Sequence, residues 1–202
     1  MNKWTIGCGA ALVILALILG VSVIGGYNSL VSLDQAVQAQ WGQVENVYQR
    51  RADLVPNLVE TVKGVAAFEK DTYTAVAEAR AQVGQVAGGG GKGVPNDPAA
   101  FAKFQQAQDG LSSALSRLLV VVDKYPDLKA AANFLELQTQ LEGTENRISV
   151  ERMRFNEAAQ AFNTRRRTFP TVLYAGLFGA QFNEKAFFQA QAGAETAPKV
   201  KF

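Results

Sequence analysis

Residues 126–170 read PDLKAAANFLELQTQLEGTENRISVERMRFNEAAQAFNTRRRTFP. Every seventh residue from Phe134 is apolar: Phe134, Leu141, Ile148, Phe155, Phe162 and Phe169. A strict seven-residue repeat is what a helix shows when one face lies against other helices, because 3.5 residues per turn keeps the seam on the partner. The stretch is therefore read as the central helix of an all-α protein. One position after each apolar residue stand Leu135, Glu142, Ser149, Asn156 and Asn163. Asparagine is a poor helix former and needs partners near a seam, so Asn156 and Asn163 are expected to fix register and not to bind a ligand. Arg165, Arg166 and Arg167 complement the dipole at the helix end; an anionic lipid contact is the alternative. Pro170 marks the end.

Composition narrows the chemistry. The chain has 202 residues, 48% of them hydrophobic, a net charge of +2, no histidine and one cysteine. The absence of histidine removes the Ser-His-Asp and Cys-His constellations and every histidine-containing zinc site. Cys8 stands alone, so neither an internal disulfide nor a cysteine metal site is available. No cofactor or metal is expected. The balanced charge argues against nucleic acid as a partner, and no small-molecule substrate is evident.

Between Lys3 and Asp34 no residue is charged. Residues 4–27 are long enough to cross a bilayer at about 1.5 Å per residue, with Trp4 and Tyr27 where interfacial aromatics belong. Residues 1–28 are thus expected to be an N-terminal anchor. A cleaved signal peptide is the competing reading, disfavoured because no clear A-x-A site follows the run. Cys8 precedes the apolar core, which argues against a lipoprotein signal.

From Ser29 to Val86 the seam steps alternately by four and three: Val37, Trp41, Val44, Tyr48, Arg51, Val55, Leu58, Val62, Val65, Glu69, Thr72, Val76, Ala79 and Val83. This predicts one very long helix, on the order of 80 Å, kinked at Pro56, which has no N–H for the carbonyl of Ala52. Arg51 and Glu69 fall on the seam. The preferred reading is that they snorkel at its border, and the sharper one is a buried polar contact that fixes register. Residues 87–96 contain GGGGKG, read as a flexible loop; Lys92 is followed by Gly93, not Ser or Thr, so a phosphate loop is not indicated. Asn96 or Asp97 with Pro98 starts the next helix, whose seam is Phe101, Phe104, Gln108, Leu111, Leu115, Leu118 and Val122. The helix starting at Pro126 follows so closely that the two must be antiparallel. Residues 168–183 carry no charge and are expected to close the bundle as a short last helix, or else to lie in a membrane interface. The predicted architecture is an N-terminal transmembrane helix followed by an antiparallel bundle of about four helices over residues 29–192. Residues 193–202 are expected to form a loose tail.

Several motifs stand together: YNSLV (27–31), RRADLVPNLVETVKG (50–64), FEK (68–70), YPDLKAAANFLELQTQLEGTENRI (125–148), FN at 155–156 and 162–163, and FP at 169–170. Their order and spacing resemble the LemA family over nearly the whole chain. Asp123 in place of a glutamate and Glu151-Arg152 in place of an Ala-Arg pair are small departures. The resemblance implies a bacterial cell-membrane protein with a single N-terminal anchor and a helical bundle, and it implies no reaction. It also implies likeness to a magnetosome-membrane component and, as usually drawn, a cytoplasmic bundle. Lys3 points weakly the other way, so orientation stays open.

Two functional expectations follow. The first is a membrane scaffold that binds other membrane proteins or itself. About 27 residues in the helix after the glycine loop cannot cover about 56 before it, so Val37, Trp41, Val44 and Tyr48 are expected to form an exposed interaction surface. The second is a lipid-binding or membrane-shaping module in which residues 169–188 enter the bilayer interface with Arg165, Arg166 and Arg167 at anionic headgroups. Glu60, Asp71 and Glu145 show no spacing that demands catalysis, and an enzyme is not expected.

Overall fold

The computed structural model of the chain describes residues 3–63, 70–88 and 91–190. Helix α1 runs from Lys3 to Lys63, 61 residues without interruption and about 90 Å long. Its first part is long and apolar enough to cross a membrane, and Leu12, Ile14, Leu17 and Ile18 there are exposed. The expected boundary after residue 28 is not a break in the chain's geometry, because span and bundle share one helix. Pro56 lies inside α1 without ending it.

The expected single helix over residues 29–86 is two helices. Helix α2 occupies Lys70–Gly88 and runs antiparallel to α1, with Arg80 coming back to the level of Ala52. The seam kept its three-four phase because both helices present apolar residues to one core; periodicity reports the buried face and not the direction of the chain. Val65 and Glu69 lie outside the described residues.

The second half of the expected flexible loop is a 3₁₀ helix, Gly91–Asn96, with Val94 and Pro95 buried. Helix α3, Pro98–Val122, starts as the sequence indicated: Asp97 caps it by accepting from the N–H groups of Ala99 (2.8 Å) and Ala100 (3.3 Å). The expected helix from Pro126 is also divided. Pro126–Lys129 forms one turn, α4, and helix α5 occupies Ala132–Arg167, with Ala131 extended between them (φ −65°, ψ 129°). That break seats Leu128 in the core.

Helix α5 lies antiparallel along α1, as Arg165–Ser29, Glu151–Gln40 and Glu145–Arg51 contacts show. Helix α3 packs chiefly on α2. The result is an up-down-up-down bundle with the heptad residues Phe134, Leu141, Ile148, Phe155 and Phe162 all buried. Two apolar clusters fill it. The cluster nearer the apolar run centres on Trp41, whose ring meets Phe104 at 5.0 Å, Phe155 at 5.5 Å and Phe101 at 5.8 Å between centroids. The distal cluster gathers Val55, Leu58, Val62, Leu111, Leu118 and Phe134.

Val37, Trp41, Val44 and Tyr48, expected as an exposed interaction surface, are therefore buried within the monomer. The length argument counted only α3 as their cover. In the fold α5, 36 residues long, and the chain after it also cover them. The last segment differs from expectation as well. Residues 168–183 form no α-helix but three short 3₁₀ turns, Thr171–Leu173, Ala175–Phe178 and Ala180–Phe182, after which the chain runs non-helically to residue 190.

Candidate functional site

A polar layer separates the two apolar clusters. Arg51 is 1% exposed and sits between Tyr48 and Val55 on the seam of α1. Its Nη1 donates to Ser112 Oγ (2.8 Å) and Glu145 Oε1 (3.0 Å), and its Nη2 donates to the carbonyl (3.3 Å) and the side-chain oxygen of Gln108. Its guanidinium also lies 4.9 Å from the centroid of the Tyr48 ring. Arg51 does not snorkel: it is buried, and its hydrogen bonds join α1, α3 and α5 at one level, the buried polar contact of the alternative reading. Burial pushes the neighbouring Tyr48 hydroxyl above its usual value.

The two asparagines after the heptad phenylalanines hold the chain that follows the 3₁₀ turns. Asn163 Nδ2 donates to the Lys185 carbonyl (2.9 Å), and the Lys185 N–H donates to Asn163 Oδ1 (2.8 Å). Asn156 repeats the pattern with Phe188, at 3.0 and 2.9 Å. The spacing explains the match. Seven helical residues advance about 10.5 Å, and three extended residues about 10 Å, so one asparagine every two turns meets every third residue of an extended strap. Arg166 Nε donates to the Phe182 carbonyl (2.7 Å) and Arg152 Nη2 to that of Gln189 (2.7 Å), which extends the ladder at both ends.

The strap carries a contact that the sequence reading missed. The Lys185 side chain is fully buried, with Nζ donating to Asp34 Oδ1 (2.5 Å), to the Gln181 carbonyl (2.7 Å) and to Asn96 Oδ1. Burial pushes this ammonium below the ordinary lysine value, and the Asp34 carboxylate opposes that shift. The sequence signal was faint: Asp34 is the first charge after the apolar run, and Lys185 stands just past the uncharged stretch.

The three arginines proposed for anionic lipid have partners inside the molecule. Arg165 Nε donates to Ser29 Oγ (3.0 Å), while Arg166 and Arg167 both pair with Glu184. The Arg167 guanidinium holds the Glu184 carboxyl below its usual range. Nor does the phenylalanine-rich segment face one way. Phe182 and Phe188 enter the core, whereas Phe169 (75% exposed), Val172 (51%), Leu173 (71%) and Leu177 (85%) are open. The turns bearing these four dock against the end of the apolar run. Tyr174 Oη donates to the Ser22 carbonyl (3.0 Å), and the Tyr27 ring lies 5.0 Å from that of Phe178.

The carboxylates weighed for catalysis are not brought together: Glu145 pairs with Arg51 and Glu60 with Lys63, while Asp71 opens α2. Among the described residues no three of His, Cys, Asp and Glu converge as metal ligands. A cleft of about 480 Å³ between α1, α2 and α3 is lined by Glu45, Asn46, Gln49, Arg80, Gly84 and Phe104, among others. Its two charged side chains form no acid–base constellation of the kind a reaction needs.

Residues 40–202 match the profile of the LemA family. The chain is 27% identical over 188 residues to magnetosome protein MamQ 2 of Paramagnetospirillum magneticum, covering 84% of this chain and 67% of that one. It is 26% identical over 184 residues to magnetosome protein MamQ of Magnetospirillum gryphiswaldense, with the same coverage. Protein LemA of Metamycoplasma hominis is 22% identical over 148 residues, covering 73% of this chain and 63% of that one. With the profile matched from the middle of α1 through the strap and beyond, the chain belongs to the LemA family.

Proposed function

We propose that this protein is a non-enzymatic scaffold, held in the bacterial membrane by a single pass of α1, whose bundle binds membrane proteins or further copies of itself. The observation that carries this reading is the continuity of α1. One helix is both the apolar span and the spine of the bundle, so the bundle stands at a set distance and tilt from the bilayer. A rigid pedestal of that kind suits a protein that positions partners. The buried polar groups support the same reading, since Arg51, Asn156, Asn163 and Lys185 spend their hydrogen bonds inside the molecule. The likeness to magnetosome proteins supports a role in membrane organisation.

Photo-crosslinking in native membranes tests the proposal. A photoreactive residue replacing Met153 or Val150, both exposed on α5, should give adducts of discrete mass. A population that stays strictly monomeric from every exposed position of the bundle would overturn it. Trp41→Asp is unsuitable, because Trp41 is a core residue and the charge would unfold the bundle.

A further inference from the structure

We infer that the turns between residues 169 and 177 form a second membrane contact, an apolar foot that enters the bilayer interface beside α1. This rests on the single-pass reading above and extends it from an anchor to a two-point attachment.

Phe169, Leu173 and Leu177 are among the most exposed large apolar side chains of the bundle, and with Val172 they fall within nine residues of one another along the chain. Isolated exposed apolar residues are ordinary, but a cluster of this kind marks a contact surface. Its place in the fold names the partner. Helix α5 descends toward the span and ends at Arg167, opposite the Ser29 level of α1. The chain continues past that level until Tyr174 reaches the Ser22 carbonyl, then climbs back through Phe182 to Lys185 at Asp34. The foot is thus the lowest point of the bundle, level with the last six or so residues of the apolar run, about 9 Å of helix. That depth matches the 5–10 Å to which interfacial apolar groups sink.

Two further features fit a bilayer. The exposed surface of α1 at this level is also apolar, at Val21, Ile24 and Tyr27, so foot and span present one continuous apolar surface. Above the foot, Arg166 and Arg167 share the single carboxylate of Glu184 and Arg165 donates to the neutral Ser29 hydroxyl, leaving positive charge at headgroup height. The heptad repeat itself is informative. Its sixth member, Phe169, has the spacing of a core residue but lies past the last turn of α5, where the chain turns it outward. Gly26 permits the docking, since a Cβ there would stand 2.3 Å from Tyr174 Oη.

The test uses the full chain in vesicles of phosphatidylcholine and phosphatidylglycerol, with Cys8→Ala removing the native thiol. Single sites are created by Ile14→Cys in the span, Leu177→Cys in the foot and Met153→Cys on α5, itself about 21 Å above the end of that helix, and each is labelled with an environment-sensitive fluorophore. Nitroxides on shallow acyl positions should quench the label at 177 at least about fivefold more than the label at 153. Adding Phe169→Asp and Leu173→Asp to the Leu177→Cys variant should return its emission toward that at 153. Quenching at 14 but not at 177 overturns the foot and leaves the anchor standing. Loss of quenching at 14 removes the anchor and the foot with it. A blue-shifted label at 177 that lipid nitroxides do not reach shows a protein cover, such as a second copy, and overturns the inference too.

Discussion

Arg80 Nε of α2 donates to the carbonyl of Ala52 in α1 at 3.1 Å. That carbonyl is the one Pro56 leaves without its i+4 donor, so a cation from the returning helix satisfies the gap that proline creates. The pairing fixes where α2 lies along α1.

A double-mutant cycle checks this. Arg80→Ala should destabilise the native chain by about 1 kcal/mol. In a Pro56→Ala background the helix satisfies Ala52 itself, and Arg80→Ala should then cost close to nothing. Equal costs in both backgrounds, measured by urea denaturation, would remove the proposed link.

The Asn163 pair with Lys185 predicts a position-specific effect. Asn163→Asp keeps the acceptor for the Lys185 N–H but loses the donor and sets a carboxylate against a carbonyl. A loss of about 1–3 kcal/mol is expected. Hydrogen exchange should show it as faster exchange at the Lys185 and Phe188 amides, with α2 amides unaffected.

Removing Arg51 strands the buried Gln108 side chain, whereas the Glu145 carboxylate, 42% exposed, keeps its access to water. Arg51→Leu alone should cost about 1–3 kcal/mol, the penalty for a buried polar group left unsatisfied, whereas adding Gln108→Leu should recover much of that loss. If the double variant is as unstable as the single one, the layer contributes packing and not polar pairing.

Gly26→Ala opposes two effects. Alanine gains about 0.5–1 kcal/mol of helix stability over glycine, but its Cβ displaces the Tyr174 hydroxyl from Ser22. The substitution should be neutral or unfavourable in the native chain and stabilising in a Tyr174→Ala background. Thermal midpoints in one detergent decide between these signs.

Acid should loosen the strap. The folded-state pKa of Glu184 lies below its ordinary value, chiefly because of its hydrogen bond from Arg167. Its contribution is therefore complete above the ordinary carboxylate pKa and is lost as pH falls through the lowered folded value. Exchange at residues 182–188 should quicken over that acid range, by a small factor because the pair is surface-exposed. Glu184→Gln should flatten the dependence.

The heptad positions, the Asp97 cap, the apolar span and the family motifs were legible in residues 1–202 because each is a local property. Periodicity states which face is buried, and uncharged length states what a bilayer accepts. The asparagines were also legible as residues needing partners, though not as the holders of Lys185 and Phe188. Direction was not legible. The seam from Val37 to Val83 reads the same for one long helix as for two antiparallel ones.

An all-α chain with an apolar N-terminal run, and a repeat whose phenylalanines fill a bundle, follow from local pattern alone. That Trp41 is core and not surface, that Arg51 is buried, and that Phe169 and Leu177 face out follow only from how the helices pack. Burial depends on what lies opposite a residue. Here the opposite partners are 22 to 152 positions away in the chain, as for Asn163 with Lys185 and Ser22 with Tyr174.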